Sequence, residues 1–170
     1  MPLSRRHLLT LPLAALAGRA MAASSGLPPP SASVVLNVSG ALRHANQGER
    51  AAFDMAMLER LPQHSFSTQT PWYPQARKFT GPLLRELLDC VGAQCQIIEA
   101  RAINDYKVSI PVADTRQYDV ILARLMDDKP MPLRDKGPLF IVYPFDRHPE
   151  LRNSVYYSRS AWQLKALELR

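Results

Sequence analysis

Short apolar strands and short amphipathic helices follow one another along the chain, with polar turns between them. VVLNVSG predicts a strand that ends in a glycine turn, and HSFSTQTPW has the alternation of an extended segment. In AAFDMAMLERLPQ, apolar residues recur at helical spacing, which predicts a helix that Pro62 stops. FTGPLLRELLDCVGA carries a leucine stripe and predicts a second helix, with Thr80 as its cap, Pro82 in its first turn and Gly92 at its end.

Strands dominate the second half of the sequence. QIIEARAI, YKVSIP, DVILARLM and GPLFIVYP are short apolar runs typical of strands, and DDKPMP predicts a hairpin turn after the third of them. SRSAWQLKALEL fits either a strand or a helical turn. Because strands outnumber helices and do not alternate regularly with them, the pattern predicts an α+β fold with a mixed sheet in one domain, residues 34–170.

The N-terminal segment predicts export. Residues 1–22 have a basic start, an apolar stretch and a small-residue site that ends at Ala22, which is the layout of a signal peptide. The Arg5–Arg6 pair leaves both the Sec route and the twin-arginine route open. Residues 23–33 form a Ser/Pro-rich lead-in to the domain.

Composition and charge narrow the function classes only a little. The chain has 170 residues, of which 46% are hydrophobic and 21% charged, as in ordinary globular proteins. Removing the signal peptide takes away three arginines and no acidic residue, so the formal net charge falls from +6 to +3. No cluster of Lys and Arg is interleaved with aromatic residues, which argues against nucleic-acid binding.

The segment ARAINDYKVSIP combines two strand-like ends with a polar centre, Asn104-Asp105-Tyr106. An amide, a carboxylate and a phenol in a stretch that leads to the core require partners, which makes them candidates for holding a ligand. Two other interpretations stay open. Asn104-Asp105 can be a turn whose side chain bonds its own backbone, and Tyr106 can be half-buried sheet.

Motifs of common enzymes are missing from the sequence. It has no GxGxxG, P-loop, HExxH or GxSxG pattern, and its histidines lack metal-ligand spacing. Cys90 and Cys95 lie on either side of the predicted helix end. They can pair in an oxidising compartment or stay reduced as a helix residue and a strand residue.

Three motifs, in order, resemble those of one family. RDKGPLFIVYP is similar to a Gly-x-Pro stretch of the molybdopterin-binding domain of sulfite oxidase-type proteins. FTGPLLRELLDCVGA resembles that family's leucine-rich helix, and AWQLKALEL resembles its closing strand with a tryptophan. The resemblance runs from about Val34 to the C-terminus. It implies an α+β fold with a mixed sheet, as the pattern itself predicts, and a family whose bacterial members are often exported.

The resemblance also places an alanine at the metal position. In catalytic members, a cysteine thiolate near the start of the strand that leads to an Ile-Pro pair ligates molybdenum. AINDYKVSIP, laid on that pattern, puts Ala102 there, and Phe140 stands where the family has a basic residue. A methyl group cannot replace a soft thiolate ligand. The resemblance therefore implies no catalytic residue and no metal ligand, with molybdenum absent.

What remains by this resemblance is a pocket for a pterin, molybdopterin included. A pterin ring needs a hydrogen-bonding edge, an aromatic wall and donors for its carbonyl or a phosphate. The candidate cofactor-binding residues are Trp72, Asn104, Asp105, Tyr106, Arg134, Lys136 and Arg159. Plainer interpretations are Trp72 as a loop anchor, Trp162 as core, and Arg134-Asp135-Lys136 as a solvated turn.

Some cysteine-less relatives in this family are periplasmic pterin-binding proteins that signal to a membrane-bound regulator of cyclic-di-GMP. The resemblance thus implies a periplasmic, non-catalytic pterin sensor whose partner is the periplasmic domain of such a regulator. Two alternatives are kept. One is a molybdenum-cofactor-dependent oxidoreductase with an unusual ligand set, and the other is a scaffold without a small ligand.

Overall fold

Eleven short strands and four short helices make up the computed structural model, which describes residues 26–170. The predicted signal peptide, residues 1–22, lies outside the described residues. In chain order, the elements are β1 (Val34–Gly40), β2 (Ala51–Asp54), α1 (Met55–Arg60), β3 (His64–Thr68), β4 (Arg77–Gly81), α2 (Leu84–Cys90), β5 (Ile97–Ala102), β6 (Lys107–Pro111), α3 (Val112–Gln117), β7 (Ile121–Ala123), β8 (Leu125–Met126), β9 (Lys129–Pro130), β10 (Phe140–Val142), α4 (Ser154–Arg159) and β11 (Leu164–Leu169).

The central sheet is mixed and has the strand order β2-β1-β11-β5-β6. Strand β11 runs parallel to β1, with Asn37 opposite Ala166, and antiparallel to β5, with Leu167 opposite Ala100. The other pairs of this sheet are antiparallel. The predicted α+β fold with a mixed sheet is confirmed, and the segment SRSAWQLKALEL, left open between strand and helix, provides both the end of α4 and all of β11.

Two smaller sheets complete the fold. One has the order β3-β4-β8-β9, and the other pairs β7 with β10. The predicted hairpin turn lies between β8 and β9, where Asp127 and Asp128 take the positive φ angles of 51° and 61° that such a turn requires. The end of β4 joins these sheets, because the amide of Leu122 donates to the carbonyl of Pro82 at 2.9 Å.

Both predicted helices begin later than their sequence patterns suggest. Ala51–Asp54 forms strand β2 because it pairs with β1, and the carboxylate of Asp54 then caps α1 by accepting from the Met57 amide at 2.8 Å. Thr80 does not cap α2, because it belongs to β4. The Glu86 side chain caps this helix instead, by accepting from the Leu83 amide at 3.1 Å. Gly92 ends it with a left-handed φ of 62°.

The described part of the Ser/Pro-rich lead-in is tied to the domain by Asp54. One oxygen of this buried carboxylate accepts from the amides of Ser31 and Ala32 and from the Ser31 hydroxyl, at 2.7 to 3.0 Å. The backbone hydrogen bond from Met57, followed by those from Ser31 and Ala32, holds the pKa of Asp54 below its usual value. No helix among residues 26–170 is long and apolar enough to cross a membrane.

Two groups of buried side chains form the core. The larger packs one face of the central sheet against the helices and includes Phe53, Leu87, Tyr143 and Phe145, each almost fully buried. The smaller lies among the short sheets and contains Phe66, Phe79, Met131 and Phe140. Trp72 and Trp162 pack against this second group and carry its aromatic surface outwards, towards the site described next.

Glycine is required at position 81, because the end of β4 lies close to the backbone of β7 there. A Cβ atom at Gly81 would overlap the backbone carbonyl of Leu122. We expect Gly81→Ala to lower the free energy of unfolding by about 1 to 3 kcal/mol, because the two backbones must separate. Gly26, with nothing within 4 Å, is the matched control. Denaturant unfolding of both variants measures the difference, and an equal stability of Gly81→Ala and Gly26→Ala would contradict this packing.

Candidate functional site

The polar centre of ARAINDYKVSIP is a turn at the tip of the β5–β6 hairpin. The amide of Tyr106 donates to Asn104 Oδ1 at 3.2 Å, and Asp105 has a left-handed φ of 65°. All three residues are exposed. The expectation that they lead into the core is therefore wrong, and the alternative of an Asx turn is confirmed. Tyr106 is still held in place, because its hydroxyl donates to the carbonyl of Ser158 at 3.1 Å.

A cavity of about 350 Å³ lies between this hairpin tip, α4 and the start of β11. Its volume is within the range of small-molecule sites. The lining residues are Trp72, Ala102, Asn104, Tyr106, Tyr157, Ser158, Ser160, Ala161 and Trp162. Of the seven predicted cofactor-binding residues, the structure brings three to this cavity: Trp72, Asn104 and Tyr106.

Aromatic rings belong to four of the nine residues that line the cavity. The ring of Trp72 contacts that of Trp162 edge to face, with centroids 5.2 Å apart, and that of Tyr157 in the same way at 6.1 Å. Trp72 also packs on Phe140 at 5.5 Å. Each ring is thus positioned by another, and together the rings form an aromatic part of the cavity wall.

Three polar side chains interrupt this aromatic wall. The hydroxyls of Ser158 and Ser160 donate to the carbonyls of Val155 and Tyr156, at 2.7 and 3.0 Å, so they remain available as acceptors. The Asn104 amide nitrogen has no partner among residues 26–170, since the Asx turn uses its oxygen. The cavity thus offers one donor group and several acceptors beside flat apolar walls.

Ala102 lies in the wall of the cavity and is 3% exposed. Its methyl group stands at the end of β5, where the family resemblance places a thiolate. Cys90 and Cys95 are free thiols that do not line the cavity, and burial raises the pKa of both. Among residues 26–170, no group of histidine, cysteine, aspartate or glutamate side chains is placed to hold a metal ion.

Two of the remaining predicted residues lie beside the cavity without lining it. The ammonium group of Lys136 lies 5.1 Å from the ring centroid of Trp162 and 5.3 Å from that of Tyr73. Asp105 binds Lys165 at 2.8 Å, and this cation holds the pKa of the carboxylate below its usual value. Arg134 is exposed in the 3-10 turn Leu133–Asp135 and does not line the cavity.

Arg159 belongs to a buried network behind α4. Its guanidinium donates to Asp114 Oδ2 at 2.9 Å and lies over the ring of Tyr156. The hydroxyl of Tyr143 donates to the same oxygen at 2.8 Å. Burial, followed by the charge of Asp114, raises the pKa of Tyr143, so its hydroxyl stays protonated as a donor. This network anchors the helix that carries Tyr157 and Ser158.

Sequence reasoning missed all three lining residues at α4 and just after it, Tyr157, Ser158 and Ser160, and it assigned Trp162 to the core. These residues lie in SVYYSRSAW, which has no local motif. Their role depends on how α4 meets β11. A second tryptophan just before the closing strand was the one available signal.

The sequence profile described as "Oxidoreductase molybdopterin binding domain" matches residues 36–145. The chain belongs to this family. Its fold is similar to that of sulfane dehydrogenase SoxCD from Paracoccus pantotrophus, with 16% identity and a TM-score of 0.57. The match covers 79% of this chain and 37% of that one, so this chain spans well under half of the other's length. A comparison with curated proteins finds no match.

The cofactor that the family resemblance implies consists of a pterin ring and a metal ion. The residues that line the cavity fit the ring but not the metal. The aromatic rings of Trp72, Trp162 and Tyr157 in the cavity wall suit packing against a heteroaromatic ring, and Asn104 borders the same cavity. The metal finds no soft donor, because alanine stands in the wall and both thiols lie elsewhere.

The network behind α4 generates a stability prediction. We expect Asp114→Ala to lower the free energy of unfolding by about 3 kcal/mol, because it leaves a largely buried guanidinium and the Tyr143 hydroxyl without their acceptor. Asp89→Ala is the control, since its pair with Arg116 is exposed and the loss should stay below about 1 kcal/mol. Chemical denaturation compares the two. Equal losses would show that Asp114 does not anchor α4.

Proposed function

We propose that this molybdopterin-binding domain binds a pterin in its aromatic cavity without a molybdenum centre. The observation that carries the proposal is Ala102, a buried methyl group in the cavity wall. A thiolate would supply a soft ligand at this point, and alanine supplies only a surface against which a ring can pack. We infer that the ring itself is the ligand, so the chain acts as a non-catalytic binding protein.

Recognition of a pterin ring requires both aromatic stacking on its faces and hydrogen bonds to the polar groups at its edge. Trp72, Trp162 and Tyr157 offer flat faces, and base-like rings gain about 1 to 3 kcal/mol from each such stack. The Asn104 amide can meet a ring carbonyl or ring nitrogen, while the hydroxyl oxygens of Ser158 and Ser160 can accept from ring N–H groups. These contacts account for the polar side chains in a wall that is otherwise apolar.

The charge around the cavity favours a pterin without a terminal phosphate. Phosphate binding normally uses a guanidinium or ammonium group, and neither type lines the cavity among residues 26–170. Arg159 is held by Asp114, and the Lys136 ammonium faces the rings of Tyr73 and Trp162. We therefore propose an unphosphorylated pterin as the ligand rather than intact molybdopterin.

The biological setting follows from the sequence and the family resemblance alone. The signal-like segment at residues 1–22 makes the periplasm the proposed location. We propose that this binding protein acts through a protein partner. We retain the periplasmic domain of a membrane-bound cyclic-di-GMP regulator as that partner, with the occupied cavity as the signal.

The chain has two tryptophans, Trp72 and Trp162, and both line the cavity, so intrinsic fluorescence reports directly on binding. We expect added neopterin to quench this fluorescence in a saturable way. Asn104→Ala should weaken binding by about three- to tenfold, because one hydrogen bond to the ring is lost. The matched control is Asp105→Asn, which changes the next residue of the same turn but not the cavity wall.

Three results would overturn the proposal. The first is an absence of saturable quenching by neopterin and by its reduced forms. The second is equal weakening by Asn104→Ala and Asp105→Asn, which would move the contact from the cavity to the hairpin tip as a whole. The third is tighter binding of molybdopterin than of neopterin, which would show that the site prefers a phosphorylated pterin. Melting curves of each variant exclude unfolding as the cause.

A further inference from the structure

A second depression, of about 910 Å³, lies on the opposite face of the central sheet from the larger core. We refer to it as the basic groove. Its lining residues are Asn37, Ser39, Gly40, Leu42, Arg43, Ala45, Gln47, Gly48, Glu49, Arg50, Arg101, Lys165 and Ala166. No residue is shared with the aromatic cavity, so the two are separate sites.

Strand alternation explains why one strand serves both sites. Successive side chains of a strand point to opposite faces, so Ala102 faces the aromatic cavity and Arg101 faces the basic groove. Asn37 and Arg101 are both paired with Ala166, on either side of it, so these three residues form one row across β1, β11 and β5. Asn37 and Ala166 form the bottom of the groove in this row, beside the longer side chain of Arg101.

The loop that forms the wall of the groove has a fixed backbone. Asn46 makes three hydrogen bonds, from its amide nitrogen to Pro28 and Ala52 at 2.8 and 2.9 Å and from the Ala52 amide to its oxygen at 2.7 Å. The backbones of Gln47 and Arg50 bond each other at 3.1 and 3.2 Å. This loop therefore presents the Cα atoms of its arginines from defined positions.

The arginines of the groove have unused binding capacity. Arg43, Arg50 and Arg101 make no side-chain hydrogen bond or ion pair with any residue in the range 26–170. Elsewhere in the domain, Arg116 and Arg152 each bind a carboxylate at 2.6 Å. Glu49 is the one acidic residue lining the groove. Among the described residues, three unpaired arginines against one carboxylate leave the groove with a net positive charge.

We infer that the basic groove binds an acidic, extended segment of a partner protein. Guanidinium groups match carboxylates in geometry, and arginine clusters are a recurring means of recognising acidic motifs. No aromatic residue lines the groove among residues 26–170, so a flat ring has nothing on which to stack. Single exposed ion pairs are weak, so useful affinity requires a ligand that engages several arginines together. The inference does not depend on ring binding in the aromatic cavity.

The test uses a fluorescein-labelled hexaglutamate peptide and the full chain, with anisotropy as the readout. We expect binding at low salt that weakens as salt is raised, because the contacts are exposed charges. The double variant Arg50→Gln, Arg101→Gln should weaken binding by about tenfold. Arg60→Gln is the matched control, since Arg60 is an exposed arginine outside the groove. Arg43→Gln provides an independent substitution in the same groove.

Equal weakening by Arg60→Gln and by Arg43→Gln, each of which removes one positive charge, would overturn the inference, since the peptide would then sense only overall charge. So would binding of pyrophosphate or of phosphatidylglycerol vesicles that depends on Arg101 when hexaglutamate does not bind, because the occupant would be a small anion or a membrane. Neopterin quenching, measured on the double variant, separates this test from ring binding. We expect that quenching to be unchanged.

Discussion

Strand β11 lies between β1 and β5, so it joins the two halves of the five-stranded sheet. Gln163, just before β11, connects the parts of the aromatic cavity. Its amide donates to the carbonyl of Lys136 at 3.0 Å, its carbonyl accepts from the amide of Ile103 at 2.9 Å, and its side chain donates to the carbonyl of Leu133 at 2.7 Å. The tip of the β5–β6 hairpin, the 3-10 turn Leu133–Asp135 and Trp162 are thereby held around the aromatic cavity.

The cavity built on this junction differs in chemistry from a metal site. Its rings fix one another edge to face, and the buried ion pair of Asp114 and Arg159 holds the helix behind them. Charge is thus used to support the wall rather than to contact a ligand. The methyl group of Ala102 completes an apolar surface at the point where a thiolate would create an electron-rich one. Such a site selects its ligand by shape and by aromatic stacking rather than by metal coordination.

The sequence was sufficient to predict most of the strands, the hairpin at Asp127-Asp128 and the mixed sheet, because each depends on local periodicity or turn chemistry. It also led to Trp72, Asn104 and Tyr106. It missed β2 and β4, whose residues it assigned to the starts of the two helices. It could not show that Arg159 turns to Asp114, because that pairing joins α4 to α3 across the fold. Nor could it place α4 in the wall. Spacing alone does not tell which face of a hairpin tip a polar residue occupies.

The most direct test is an analysis of the full chain purified from the periplasm of cells that make molybdenum cofactor. Elemental analysis for molybdenum is combined with fluorescence of the extracted ligand, for the native chain and for Ala102→Cys. We expect the native chain to release a fluorescent pterin and to contain no molybdenum, because its cavity has no soft donor. Stoichiometric molybdenum in the native chain would contradict this account and would restore the oxidoreductase interpretation.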